Sequence, residues 1–109
     1  RIPHANMTVV AFLSVAPATD ESMGPEVAKA VATLDEFDVS YETTPMGTTI
    51  ETDEIGELFA AVRAAHEAVE GDRVSTFLKV DDKRTSDADA ASKVESVEDA
   101  LGREARGER

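Results

Sequence analysis

Hydroxyl and carboxylate side chains are concentrated in one short segment, Tyr41–Glu51. Its sequence, YETTPMGTTIE, holds four threonines and two glutamates. Hydroxyls both donate and accept hydrogen bonds, and carboxylates pair with cations, so the set suits a heterocycle with polar edges or a positive charge. Threonine is also a common strand residue, and a purely structural hairpin is the alternative. The segment is the first candidate for a ligand site, with Thr44, Thr48 and Thr49 as its candidate hydroxyls.

Further candidates lie on the flanking elements. Ser14 would add a hydroxyl from the first strand, and either Phe12 or Phe77 could stack on a ring. His66 could donate a hydrogen bond to a bound heterocycle. The alternative for His66 is a histidine buried on the apolar stripe of a helix and bonded to a backbone carbonyl.

Groups for catalysis or metal binding are sparse. The chain has no cysteine and only two histidines, His4 and His66, and its serines do not occupy a G-x-S-x-G elbow. The pair Asp81–Asp82 could hold a cation, but adjacent strand residues point to opposite faces and the neighbouring basic residues would compete. We expect no catalytic residue, no metal and no cofactor; a metal- or anion-dependent enzyme acting at this pair is the weaker alternative.

Composition narrows the class of partner. A chain of 109 residues with a formal charge of −12 would repel nucleic acid and anionic membranes. The chain has no run of roughly 18 apolar residues, the length needed for a membrane span. We expect a cytoplasmic protein whose acidic surface either attracts a cationic ligand or is adapted to high salt. The low number of lysines, four, favours the halophilic interpretation.

Hydrophobic periodicity predicts an α+β fold of the ferredoxin-like type, βαββαβ, with one antiparallel sheet, two helices on one face and an extra C-terminal helix. Residues 7–101 form the single domain, residues 1–6 are an extension or an expression remnant, and residues 102–109 are a charged tail. The predicted elements are, in order, strand 8–17, helix 25–37, strands 39–44 and 48–52, helix 54–70, strand 73–80 and helix 92–101.

Strand alternation separates the two faces of the predicted sheet. The uncovered face carries Val10, Phe12 and Phe77, more apolar surface than a solvated sheet normally exposes, which predicts a homodimer or homotetramer. Placing Tyr41 and Ile50 on the covered face gives a hairpin register in which Thr44 faces Thr49 and Glu42 faces Glu51.

Four segments resemble one known family in their order and spacing: TVVAFLSVAP, YETTPMGTTIE, VRAAHEAVEG and STFLKVDDKR. The chain is similar to the short, single-repeat members of the thiamine-binding-protein family, whose structural relatives include the YkoF-like proteins. The resemblance implies a ferredoxin-like fold, dimers that pair into tetramers, and binding of thiamine or its hydroxymethylpyrimidine part without catalysis. It assigns the ligand to Ser14, Thr48, Thr49, His66 and Lys79. A structural or regulatory homo-oligomer without a small-molecule ligand is the alternative.

Overall fold

The computed structural model describes residues 8–18, 22–84 and 90–107, so the predicted extension of residues 1–6 lies outside the described residues. The fold is α+β, with a four-stranded antiparallel sheet and three helices. The strands are β1 (Thr8–Pro17), β2 (Ser40–Thr44), β3 (Gly47–Thr52) and β4 (Val74–Lys83). The helices are α1 (Gly24–Thr33), α2 (Ile55–Ala68) and α3 (Ala90–Leu101), and a 3₁₀ turn (Leu34–Glu36) follows α1.

The sheet has the strand order β2-β3-β1-β4, which puts the apolar strand β1 in the interior. This strand pairs antiparallel with β3 on one side and with β4 on the other. The continuous apolar run TVVAFLSVAP suits that position, because an interior strand has side chains packed on both faces.

The core lies between one face of the sheet and helices α1 and α2. Strand β1 contributes alternate residues to it, all of them buried: Val9, Ala11, Leu13 and Val15. Ile50 from β3 and Leu58 from α2 are fully buried against this row. The strand alternation predicted from the sequence is therefore confirmed for β1.

The opposite face of the sheet is called the open face here. The residues predicted for this face pair across the strands with one another or with other residues of the same face, which confirms the prediction. Phe77 is 60% exposed, and its ring packs edge-to-face on Phe12 with the centroids 6.3 Å apart. The open-face residues are Val10, Phe12, Ser14, Ser40, Glu42, Thr44, Thr49, Glu51, Ser75, Phe77 and Lys79.

The predicted hairpin register is wrong by two residues. Thr44 faces Gly47, and Glu42 faces Thr49. The turn is therefore the two residues Pro45–Met46 rather than a four-residue loop, and the expected facing pair of glutamates does not form. The Thr44 hydroxyl accepts a hydrogen bond from the Met46 N–H and donates one to the Gly47 carbonyl, which closes the tight turn. A shift of two residues leaves every side chain on its predicted face.

Helix α2 buries only part of its predicted apolar stripe. Leu58, Val62 and Ala65 are buried, whereas Ile55 and Phe59 are 39% and 53% exposed. These two exposed residues lie one helical turn apart, on the side of the helix that also carries the exposed His66. The sequence pattern is apolar over a wider arc than the sheet covers.

The predicted C-terminal helix is present as α3. It is amphipathic, and the apolar residues Val94, Val97 and Leu101 are each about half exposed. The Lys93 ammonium contacts the Asp81 carboxylate on β4 and holds the pKa of that carboxyl below its usual range. None of the helices in the described residues is long and apolar enough to cross a membrane.

Candidate ligand-binding pocket

A cavity of about 190 Å³ lies on the covered side of the sheet, beside the hairpin turn. Three parts of the fold enclose it: one side of α1 with Leu34 of the following 3₁₀ turn, the C-terminal half of β1, and the segment of the hairpin around Pro45–Met46. Its lining residues are Leu13, Ser14, Val15, Ala16, Met23, Val27, Ala30, Val31, Leu34, Thr43, Thr44, Pro45, Met46, Gly47 and Thr48.

Two hydroxyl groups give the pocket its polar edge. Thr43 and Thr48 are directly opposite each other on β2 and β3, and their Oγ1 atoms are 3.1 Å apart. The pair shares a single hydrogen bond, and each hydroxyl has one donor and two acceptor positions. Thr48 is only 5% exposed. Thr43 is exposed, so the pair can offer a donor and acceptors to a ring edge from a position that is buried on the β3 side and open to solvent on the β2 side.

Apolar side chains form most of the rest of the wall. Leu13, Ala30 and Leu34 are buried at the base, while Met23 and Met46 are 44% and 79% exposed. Methionine is flexible and polarizable, and it contacts aromatic rings favourably. The lining residues include no charged side chain. The pocket therefore favours a neutral ring with a few polar atoms over a charged group, since a charge buried without a partner is costly.

The hairpin is tied to helix α1 by a hydrogen bond outside the pocket. The Tyr41 hydroxyl donates to the Asp35 carboxylate at 2.6 Å, and this bond raises the pKa of Tyr41. Asp35 belongs to the 3₁₀ turn that follows α1. The two walls of the pocket are thus linked at one end.

The predicted site residues do not come together. Ser14, Thr44 and Thr48 line the pocket, whereas Thr49, Phe77 and Lys79 lie on the open face. Thr48 and Thr49 are adjacent in a strand and therefore point to opposite sides of the sheet. Ser14 pairs with Phe77 on the open face, so it meets the pocket through its backbone. The Thr44 hydroxyl already makes hydrogen bonds within the turn, to the Met46 N–H and the Gly47 carbonyl.

His66 lies neither in the pocket nor on the open face. It is exposed on α2 rather than buried in the core as the alternative interpretation required, and its Nδ1 lies 2.5 Å from Thr76 Oγ1 on β4. This contact joins the helix to the edge of the sheet. His66 is not among the residues that line the pocket.

Several lining residues were not identified from the sequence. Thr43 was one of the hairpin threonines but was not selected as a site residue, although it shares a face with Tyr41 and is opposite Thr48. Strand alternation together with the correct register would have selected it. The apolar wall at α1 consists of Met23, Val27 and Val31. Their residue types do not indicate a ligand site, because the same residues commonly form a hydrophobic core.

Comparison with known proteins gives one consistent family. The family model described as "Thiamine-binding protein" matches residues 11–98. A UPF0045 protein of Methanothermobacter thermautotrophicus is 43% identical over 98 residues, which cover 85% of this chain and 99% of the relative.

Two solved structures share the fold of this chain. A hypothetical protein of Methanocaldococcus jannaschii has a TM-score of 0.67 at 32% identity, covering 87% of this chain and 96% of its own. A Thermotoga maritima protein, with a suggested place in thiamine biosynthesis or salvage, has a TM-score of 0.67 at 22% identity. That alignment covers 83% of this chain and 98% of the other, and it shows a shared fold. The chain belongs to the thiamine-binding protein family.

Proposed function

We propose that this protein is a non-enzymatic binding protein for thiamine or its hydroxymethylpyrimidine part, built on the ferredoxin-like plan. The observation that carries the proposal is the hydroxyl pair of Thr43 and Thr48 at the edge of an otherwise apolar, uncharged pocket. An aminopyrimidine is flat, neutral and rimmed by donors and acceptors, which matches such a lining. Membership of the thiamine-binding protein family supports the same ligand class.

The size of the pocket indicates which part of thiamine it would hold. Its volume of about 190 Å³ is below the roughly 300–1,000 Å³ of pockets that enclose a drug-sized ligand. The pyrimidine would occupy the cavity, and the cationic thiazolium would lie at the mouth beside Met23 and Met46. An acidic protein surface outside the pocket would favour the cation over an anionic phosphate ester.

Thr48→Val is expected to weaken binding of hydroxymethylpyrimidine by roughly 2- to 13-fold, the equivalent of about 0.5–1.5 kcal/mol for one neutral hydrogen bond. Valine keeps the shape and removes the hydroxyl. Thr49→Val is the matched control, because Thr49 is the next residue on the same strand but lies on the open face. Titration calorimetry with thiamine, hydroxymethylpyrimidine and thiamine diphosphate measures the three affinities for each variant.

Two results would count against this proposal. If circular dichroism verifies the fold and none of the three compounds gives saturable heat, thiamine and its pyrimidine part are excluded as ligands. Equal weakening by the two valine variants would move the site away from the pocket, because only one of the two hydroxyls faces it.

We further propose that the protein is a homodimer or homotetramer and that the open face is one contact surface. Exposed Phe77, whose ring packs edge-to-face on Phe12, is the apolar centre of that face. Covering such a patch with an identical patch is the simplest way to remove it from water.

Thr49→Arg is expected to reduce the mass of the assembly, because a long side chain in the middle of the open face would prevent close packing of two sheets. Glu42, directly opposite on β2, gives the new cation a partner within the subunit, so the fold should tolerate it. Sedimentation equilibrium measures the mass, with Thr49→Val as the control. An unchanged mass would exclude this surface as a contact.

A further inference from the structure

The C-terminal end of β1 extends past its neighbour β3. The strand continues to Pro17, whereas its pairing with β3 ends at Leu13, opposite Thr48. On the other side, pairing with β4 continues as far as Pro17. Among the described residues, positions 14–17 of β1 therefore pair with a strand on one side only. Their other side is next to the hairpin turn.

The hydrogen bonds of β1 show which backbone groups point to that side. The Ala18 N–H donates to the Arg73 carbonyl at 2.9 Å, so these two residues form a hydrogen-bonded pair that continues the β1–β4 ladder. In an antiparallel ladder the hydrogen-bonded pairs alternate. Even-numbered residues of β1 therefore bond to β4, and odd-numbered residues direct their N–H and C=O groups to the side of β3.

Val15 is the residue whose two backbone groups are left over by this alternation. Leu13, the preceding odd-numbered residue, pairs with Thr48, and Pro17, the following one, has no N–H. An extension of the register would put Met46 opposite Val15, but no hydrogen bond joins these two residues in the described part of the chain. Val15 thus directs both a donor and an acceptor toward the hairpin turn.

Both backbone groups of Val15 face the cavity of about 190 Å³, because the backbone around Val15 forms part of its wall. Ser14 and Ala16 also line the cavity, although their side chains lie on the open face, where they pair with Phe77 and Ser75. Val15 itself is only 7% exposed. Buried backbone N–H and C=O groups in native proteins almost always have a hydrogen-bond partner. We therefore expect polar atoms of a ligand opposite Val15.

We propose that the N–H and C=O groups of Val15 recognise the 4-amino edge of the pyrimidine and make the site selective for a 4-amino over a 4-oxo ring. The N–H donates to the ring nitrogen N3, and the exocyclic amine donates to the C=O. The two groups of one strand residue point the same way, so they meet two neighbouring atoms of a ring edge. This recognition rests on the proposed function, since it concerns the same pocket and the same ligand.

A 4-oxo ring presents the opposite pattern to Val15. Its oxygen is an acceptor and its N3–H is a donor, so acceptor would face acceptor and donor would face donor. Backbone groups cannot exchange these roles. The hydroxyls of Thr43 and Thr48 can, because either of them can be the donor in the bond that joins them. The hydroxyl pair therefore adds affinity for both rings, and Val15 distinguishes between them.

Titration calorimetry with hydroxymethylpyrimidine and its 4-oxo counterpart tests this selectivity, with displacement titration for the weaker ligand. The wild-type protein is expected to bind the 4-amino compound at least roughly 100-fold more tightly. Thr48→Val should weaken both compounds and keep their ratio. A smaller wild-type ratio overturns the selectivity and leaves the proposed function intact, whereas both fail if neither compound binds. A ratio that disappears in Thr48→Val assigns the selectivity to the hydroxyl pair and also overturns the proposal.

Nuclear magnetic resonance of the wild-type protein detects the hydrogen bond itself. With ¹⁵N in both the protein and hydroxymethylpyrimidine, an N–H···N bond produces a scalar coupling between the Val15 amide nitrogen and ring N3. The coupling is expected in the saturated complex. Its absence there, with the Val15 amide assigned and visible, overturns the proposal.

Val15→Pro provides the last arm of the test. Proline removes the N–H that faces the cavity and leaves the bonds between β1 and β4 in place. The expected result is an affinity for the 4-amino compound at least roughly tenfold lower, with most of the preference over the 4-oxo compound lost. Val15→Ala keeps the N–H and should keep the preference. Circular dichroism verifies folding, and a folded Val15→Pro variant with the wild-type preference overturns the proposal; if that variant does not fold, the coupling decides.

Discussion

Replacing Ala30 with leucine is expected to lower the affinity for hydroxymethylpyrimidine by at least roughly 100-fold without destabilising the protein. Ala30 is 4% exposed and lines the cavity of about 190 Å³, so the larger isobutyl side chain of leucine would enter space that a ligand needs. To bind, the ligand would have to displace the leucine side chain and would lose its own contacts with the cavity wall, at a cost of about 3 kcal/mol or more. Filling an empty apolar cavity commonly raises the free energy of unfolding by about 0.5–2 kcal/mol.

Ala61→Leu is the matched control for this prediction. Ala61 is fully buried on α2 but does not line the cavity, so the same added atoms meet packed side chains. The control should lose about 1–3 kcal/mol of stability and keep its affinity in the folded fraction. Calorimetric titration and chemical denaturation measure the two quantities for both variants. Unchanged affinity in the Ala30 variant would show that the ligand binds elsewhere.

Gly47→Ala should lower the free energy of unfolding by about 2–3 kcal/mol, because a Cβ atom at this position has no room. It would lie 2.5 Å from Cζ of Phe12 and 2.8 Å from the carbonyl oxygen of Leu13. The phenyl ring could turn aside, but the carbonyl belongs to the central strand and cannot. The φ angle of 157° is also one that residues with side chains rarely adopt.

Gly56→Ala is the corresponding control for the stability prediction. Nothing lies within 4 Å of a Cβ at Gly56, in the first turn of α2. Alanine there should raise stability by about 0.5–1 kcal/mol, since it reduces the freedom of the unfolded chain. Urea denaturation measures both variants. A Gly47 variant as stable as the Gly56 variant would mean that the turn adjusts freely, contrary to the tight contact with Leu13.

Local pattern was sufficient to predict which face of the sheet each strand residue occupies. Val9, Leu13 and Val15 occupy alternate positions of β1 and are buried on one face, and this parity survives an error in register. The hairpin shows the limit of the approach. Thr44 closes a two-residue turn through its own hydroxyl, and nothing in the pattern of apolar residues distinguishes that turn from a longer loop with the same parity.

The pocket was predictable only in part, because it forms between segments that are distant in the chain. Thr48 was selected for its hydroxyl, but Met23 and Val27 acquire a role only when α1 lies across the hairpin. Thr48 and Thr49 have the same chemistry, but their side chains lie on opposite faces of the sheet. His66 was selected for its chemistry, and the fold instead puts it beside β4.

The uncharged lining of the pocket has a consequence for how the protein would respond to its ionic surroundings. Screening by dissolved salt weakens forces between exposed charges and leaves hydrogen bonds and apolar contacts to an uncharged wall almost unchanged. The attraction of the pocket for a neutral ring should therefore vary little with ionic strength. Repulsion between copies that each carry a charge of −12 should fall steeply as salt is added. Salt would thus control how many copies join, and scarcely affect how tightly each one holds its ring.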